Sequence, residues 1–390
     1  GPVTVALLVG AGLYLTLRLR LIQIFRLWLG LRIIGGLYDK EEAEGELSHF
    51  RALSVALAAT IGNGNIAGVA TAIAAGGPGA VFWMWVTAVV GMATKYVSCT
   101  LAVIYRDYSP ETGFSGGPMQ YIEKGLGPKW KPLAQFFAFC AVLSAFGTGN
   151  MTQSNSVADT LEFSIRDIAG YGAAPDTIFL VKLAIGLVFG GLVWAVLIGG
   201  VTRIGAVAAH LVPAMCIVYV LGAVSVMLIN IDLIPGAIEI IFTHAFTGTA
   251  ATGGFLGASV MAAIRFGVSR GIYSNEAGLG TAPIAHATAR TREPVREGLV
   301  AMTGPFIDTI IVCSMTALVI ITTGAWTTGK TGSELTTVAF NAGIPELGKI
   351  TVSLSMIFFS FSSTCGWSYY GDRSMGYLFG ARSILWYRYV

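Results

Sequence analysis

Residues Thr60-Ile-Gly-Asn-Gly-Asn-Ile-Ala-Gly68 interrupt a run, Phe50 to Ile73, that is otherwise apolar and long enough to cross a membrane. A continuous helix is disfavoured there. Gly62 and Gly64 each cost about 1 kcal/mol against Ala in a helix interior, and Asn63 and Asn65 place amides where lipid cannot solvate them. Non-helical backbone at membrane depth is tolerated only where it is buried in protein or lines a cavity, and it releases N–H and C=O groups to bind something. The run therefore predicts a binding site inside a bilayer.

The rest of the chain agrees with an all-α polytopic protein of the cell membrane. Of its 390 residues 54% are hydrophobic and only 12% charged, too few charges for a soluble globular surface. Fifty glycines fit closely packed transmembrane helices, and a net charge of +3 gives no footing for nucleic acid. Cys99, Cys140, Cys216, Cys313 and Cys365 lie in apolar runs without metal-ligand spacing and read as small core residues. The Gly1-Pro2 start lacks a basic n-region, which argues against a cleavable signal peptide.

Nine spans can be drawn: Val3 to Leu17, Phe50 to Ile73, Ala80 to Ile104, Leu133 to Val157, Ile178 to Leu197, Ile204 to Leu228, Phe255 to Leu279, Leu299 to Ile321 and Val352 to Leu378. All but the first approach the ~20 residues that span ~30 Å of hydrocarbon. Between the first two, Leu21, Ile24, Phe25, Trp28, Leu29, Leu31 and Ile34 alternate with Arg20, Arg26 and Arg32, the pattern of an amphipathic helix lying on a membrane face. The acidic stretch Asp39 to Glu46 then reads as a solvated linker. Placing Arg18 to Arg51 in the cytoplasm also puts there the connections with Arg106, Lys124, Lys129 and Lys131, with Arg203, with Arg290, Arg292 and Arg296, and with Arg373 and Arg382.

A second interruption, Ser269-Arg-Gly-Ile-Tyr-Ser-Asn-Glu-Ala-Gly-Leu-Gly280, follows five spans after the first. Either run alone is explained by a glycine packing notch. Two disrupted helices in corresponding places of two halves point instead to a transporter site between inverted repeats. A channel is the competing reading, since broken helices also build selectivity filters. An enzyme reading rests on Gly113-Phe-Ser-Gly116, a four-residue match to intramembrane serine proteases. It lies in a polar loop, and none of His49, His210, His244 or His286 is placed as its base.

Gly62-Asn-Gly-Asn-Ile-Ala-Gly-Val-Ala-Thr71, Gly77-Pro-Gly-Ala-Val-Phe-Trp-Met-Trp85, Gly116-Gly-Pro-Met119, Gly149-Asn-Met-Thr-Gln-Ser-Asn-Ser-Val-Ala-Asp159, Ser274-Asn-Glu-Ala-Gly-Leu-Gly280 and Gly366-Trp-Ser-Tyr-Tyr-Gly371 resemble the alanine/glycine:cation symporters, also called sodium:alanine symporters or amino acid carriers. The resemblance covers essentially the whole chain. It implies the leucine-transporter fold, a member of the APC type, with an extra N-terminal helix and amphipathic segment (1–48), a first five-span repeat (49–232) and a second, incomplete one (233–390). That second repeat calls for about two helices past Val390, so a C-terminally truncated chain is expected. Asn63 departs from the family, which often has a smaller residue there.

The function implied is secondary active transport: inward Na+ movement, with H+ as a possible substitute, coupled to uptake of a small neutral amino acid, alanine or glycine. The alternative is a channel or another small-solute symporter of the same fold. Amides freed at Gly62 to Asn65 sit at the N-terminus of a half-helix, where open N–H groups and the dipole favour a carboxylate. Carbonyls near Tyr273 to Asn275 are placed to take an ammonium. Gln153 shares a helix face with Asn150 and Val157 and, by the resemblance, points at the substrate, although an interhelical hydrogen bond is the plainer role.

Ser360, Ser363 and Trp367 share another face, and Trp367 could close the pocket over a methyl group or simply pack. The expected substrate set is Thr60, Gly62, Asn63, Gly64, Asn65, Gln153, Ser274, Asn275, Trp367 and Ser368. By the same resemblance Na+ is held by carbonyls of Ala58 and Ile61 with hydroxyls of Ser362 and Ser363, unless those serines bond their own helix. Asp308 and Glu276 should face the interior and pair, with Arg265 and Arg270 as candidate partners, or form a proton or second cation site. Arg51 and Asp372 are a candidate inner gate.

Overall fold

A computed structural model describes residues 2–36, 38, 43–169, 175–250 and 252–389. The chain opens with α1 (Pro2–Arg18), then α2 (Ile22–Phe25) and α3 (Leu27–Ile34). The single amphipathic helix expected here is split at Arg26 (φ -117°, ψ 5°), and the left-handed turn at Arg20 and Leu21 sets α2 off from α1. Gly30 and Ile33 face the protein, whereas Ile24, Phe25 and Trp28 are exposed.

The first broken span is α4 (His49–Thr60), a π-helical turn Gly64–Gly68, and α5 (Val69–Gly76), the two halves bent by 54°. The expected interruption thus falls where glycines and asparagines interrupt the apolar run. Next come α6 (Ala80–Ile104), a short hairpin of β1 (Asp107–Ser109) and β2 (Gly113–Ser115), and α7 (Pro118–Leu126). Gly113 to Ser115 therefore form a strand rather than a helix-end nucleophile site.

α8 (Lys131–Ser144) continues through a π-helical stretch, Ala145–Met151, into α9 (Thr152–Ala169), and α10 (Pro175–Leu197) and α11 (Gly200–Ile229) follow. α12 (Ile234–Thr247), which the span pattern left as a connection, lies before the second interrupted span, α13 (Val260–Asn275) and α14 (Ala282–His286). α15 (Pro294–Ala301), α16 (Thr303–Pro305), a π-helical stretch Phe306–Cys313 and α17 (Ser314–Thr322) make one long rod. α18 (Gly332–Gly343), also unanticipated, α19 (Leu347–Phe379) and α20 (Ala381–Tyr389) end the described chain.

Among the described residues six helices are long and apolar enough to cross a membrane, seven if the bent pair counts as one span. Two of the nine expected spans fall short on length: α1 has 17 residues and α13 has 16. The second break also starts later than expected. Ser269 to Asn275 stay helical, and the chain leaves the helix only at Glu276.

Close packing on small residues sets the positions of these rods. α13 lies on α6 through Gly267 and Gly271, where a Cβ would come within 2.3 Å of the Ala80 carbonyl oxygen and of Thr87 Oγ1. α19 crosses α4 at Gly366, where a Cβ would meet the Ala59 nitrogen at 2.7 Å. Only backbones stripped of side chains can bring the two breaks and α19 this near one another.

The segment expected as a free linker is tied down where it is described. Glu46 and Leu47 N–H donate to the Thr288 carbonyl, and Arg290 and Thr291 N–H donate back to the Leu47 and Glu44 carbonyls. Arg106 donates to four carbonyl oxygens of the same junction, those of Glu44, Ala287, Ala289 and Thr291. Beneath it Glu297, wholly buried, bridges His49 at the start of α4 and His286 at the end of α14.

Candidate functional site

A cavity of ≈ 130 Å³ lies where the two breaks meet α8, α9 and α19, lined by Thr60, Gly62, Gly64, Gln153, Trp367 and Glu276, with Ala59, Ser144, Thr148, Tyr273 and Leu279 completing its wall. That volume is roughly ten times what one water needs (about 10–15 Å³), and it is well below the ~300–1,000 Å³ of drug-sized pockets. Five of the expected substrate residues therefore reach one chamber.

Asn63, Asn65, Ser274 and Asn275 stand behind it. At the first break Ile61 leaves the helix in an extended conformation, and Gly62 N–H donates to Asn65 Oδ1 at 2.9 Å. Asn65 Nδ2 in turn reaches Asp308 Oδ1 at 2.7 Å, so this amide faces away from the chamber. Asn63 N–H donates to Gln153 Oε1 at 3.3 Å while its side chain turns to Ser156 Oγ at 2.7 Å. The amides expected to stand open for a carboxylate are thus already engaged at Gly62 and Asn63, and an incoming carboxylate must take the place of side-chain oxygens. Gly62 is required here: a Cβ would lie 2.3 Å from Ser363 Oγ.

Ser274 and Asn275 occupy the last turn of α13. Ser274 Oγ donates to Asp308 Oδ2 at 2.8 Å, and Asn275 Nδ2 donates to Thr309 Oγ1 at 3.2 Å. Neither lines the cavity. Asp308 also accepts from Thr309 Oγ1 at 2.7 Å. Its partners are neutral donors, which corrects the expected ion pair with an arginine. Arg265 and Arg270 instead lie against the rings of Phe266 and Tyr273. A buried basic residue that the sequence pattern left unremarked is Lys95, a lone lysine inside α6. A charged residue amid an apolar span was the available signal.

Gln153 is buried against the first break, and Val157 is buried one turn on, but Asn150 is exposed and bonds Ser154. The widened π turn at 145–151 rotates Asn150 off the face that regular helical spacing assigned to it. Thr148 and Ser144 reach the cavity for the same reason, which no α-helical spacing could have indicated.

On α19, Trp367 is buried and packs so tightly on Gly149 that a Cβ there would come within 2.3 Å of the Trp367 Cβ. Ser368 points away and donates to the Thr364 carbonyl at 2.7 Å. Ser363 Oγ lies 3.0 Å from the Ala59 carbonyl oxygen and 3.4 Å from that of Ile61. Ser362 does not join it: its hydroxyl donates to Phe359 of its own helix and faces Met215 sulfur. The inner-gate pair is also corrected. Arg51 is exposed at the start of α4, whereas Asp372 is bridged by Arg388 at 2.6 Å.

Comparison with known proteins identifies the fold and the family. A solved structure titled "Crystal structure of MhsT in complex with L-phenylalanine" matches with a TM-score of 0.61 over 89% of this chain and 78% of that one at 14% identity, which shows the leucine-transporter fold. An uncharacterised transporter of Haemophilus influenzae is 47% identical over 100% of this chain and 82% of its own length. The sodium/alanine symporter AgcS of Methanococcus maripaludis is 44% identical over 100% and 83%. The probable sodium/glutamine symporter GlnT of Bacillus subtilis is 36% identical over 98% and 76%. A family model described as the sodium:alanine symporter family matches residues 1–390. The chain is therefore a multi-pass membrane transporter, not an enzyme, and belongs to the sodium:alanine symporter family.

Proposed function

We propose that the protein couples Na+ entry to uptake of a small neutral amino acid, alanine or glycine, by alternating access between two inverted repeats. The observation that carries this is the cavity of ≈ 130 Å³ at the meeting of two broken helices, closed on one side by the Trp367 indole. A substrate carboxylate belongs at the first break, where Gly62 and Asn63 N–H groups exchange their internal acceptors for it. The Trp367 ring leaves room for hydrogen or methyl as the side chain. Family membership and the relative named as a sodium/alanine symporter support Na+ and alanine, while the glutamine-named relative makes side-chain size the quantity to measure.

Na+ as co-substrate fits beside Ser363, whose hydroxyl lies near the Ala59 and Ile61 carbonyl oxygens at the end of α4. Hard oxygen donors suit a small monovalent cation, and helix-end carbonyls supply them without a buried carboxylate. Ser362, turned toward sulfur, would have to change rotamer to join. The test is labelled alanine uptake by proteoliposomes carrying the full-length protein. An inward Na+ gradient should drive accumulation, and unlabelled alanine inside should accelerate entry of label. Entry without such counter-flow is the result expected of a channel and would refute the proposal.

A further inference from the structure

Glu276 occupies a place that a passive wall residue would not need. It follows the last residue of α13 with φ 54°, in the left-handed region, and its N–H closes the helix onto the Ile272 carbonyl at 2.9 Å. Helices commonly end with Gly or Asn in this conformation, because a side chain with a Cβ adopts it against steric resistance. Observed strain of this kind at a ligand-facing position is a pointer to function. This strained residue lines the chamber between the breaks.

Its surroundings single it out further. The side chain is only 4% exposed, and Thr281 Oγ1 holds one carboxylate oxygen at 2.6 Å. The Trp367 indole lines the same chamber. Of the residues lining the cavity Glu276 alone bears a carboxyl group. Asp308, the other buried acid nearby, accepts from Asn65, Ser274 and Thr309, and it does not line the chamber. A site with donors at one break and one carboxylate at the other is polarised to match a zwitterion.

We propose that Glu276 is the residue that reads the substrate's ammonium group, so that the site discriminates an amino acid from the same molecule lacking its amine. This rests on the symporter reading above. It replaces the helix-end carbonyls near Tyr273 to Asn275 as the ammonium ligand, and it sets Thr281 as the group that aims the carboxylate. Because a site built around a buried polar partner rejects the analogue that leaves it unpaired, discrimination should be large.

The experiment titrates the full-length protein in Na+ with L-alanine and with L-lactate, which puts a hydroxyl where the amine stood, and follows thermal stabilisation. The parent should bind alanine at least roughly a hundredfold more tightly than lactate. In Glu276→Gln, which keeps the shape and the acceptor for Thr281, alanine should weaken by at least tenfold and the alanine-to-lactate ratio should collapse toward one. A parent that binds lactate within about threefold of alanine overturns the proposal without any variant being folded. So does a Glu276→Gln variant that retains the parent's ratio. Either result leaves alanine transport intact, whereas a parent stabilised by no amino acid in Na+ overturns both this inference and the symporter reading.

Discussion

Ser362 and Ser363 are adjacent in sequence but face different chemistry, one against sulfur and its own helix, the other against carbonyls at the end of α4. Only the second is placed to serve an ion. Ser363→Ala should therefore raise the Na+ concentration for half-maximal uptake by about tenfold, the loss of one charge-directed hydrogen-bonding oxygen, while Ser362→Ala should shift it little. Equal Na+ dependence in Ser363→Ala and the parent would remove that hydroxyl from the ion's path. By linkage, alanine affinity at limiting Na+ should fall as well, because less of the protein then holds the ion that strengthens amino acid binding. Trp367→Ala is expected to act on the other ligand: it opens the wall toward Gly149 and should admit valine-sized side chains to uptake, with Na+ affinity measured without substrate nearly unchanged. Continued exclusion of those larger substrates would mean that another group limits size.

Among the elements, α13 and α6 approach on glycines at a distance that tolerates no side chain. Gly267→Ala places a methyl 2.3 Å from a backbone oxygen that cannot rotate aside, and thermal unfolding in detergent should register a loss of about 1–3 kcal/mol. Gly191→Ala on α10, where a Cβ meets nothing within 4 Å, is the matched control and should be neutral or slightly stabilising. The first break was legible in the sequence because Gly62, Asn63, Gly64 and Asn65 disturb propensity and polarity together within one apolar run. The second was legible only in outline. Ser269 to Asn275 hold their helix because Gly271 packs on Thr87 and Ser274 bonds Asp308, tertiary contacts that outweigh local preference. The π stretches at 145–151 and 306–313 left no trace in a reading based on regular periodicity, and so Asn150, Thr148 and Ser144 were placed on the wrong faces or overlooked. Side-chain pairing was the least legible. Charges were visible, but whether Asp372 would meet Arg51 or Arg388 depends on how helices fold back, which spacing does not encode.

At the scale of the whole molecule, segment 44–49 and segment 286–297 are laced by backbone hydrogen bonds, by the four-carbonyl grip of Arg106 and by Glu297 between His49 and His286. Lys and Arg distribution assigns this end to the cytoplasm. Cysteines introduced as Glu44→Cys and Glu293→Cys should both escape a membrane-impermeant thiol reagent applied to intact cells and both react in inverted vesicles. Because Thr291 N–H is bonded to the Glu44 carbonyl, labelling of one but not the other from outside would contradict the fold itself. The seam has a mechanical meaning. The inner ends of the two broken spans share one anchorage, so access from that side works as a single-leaf door: neither inner half can swing without dragging its counterpart, and the two breaks keep their alignment while the doorway moves.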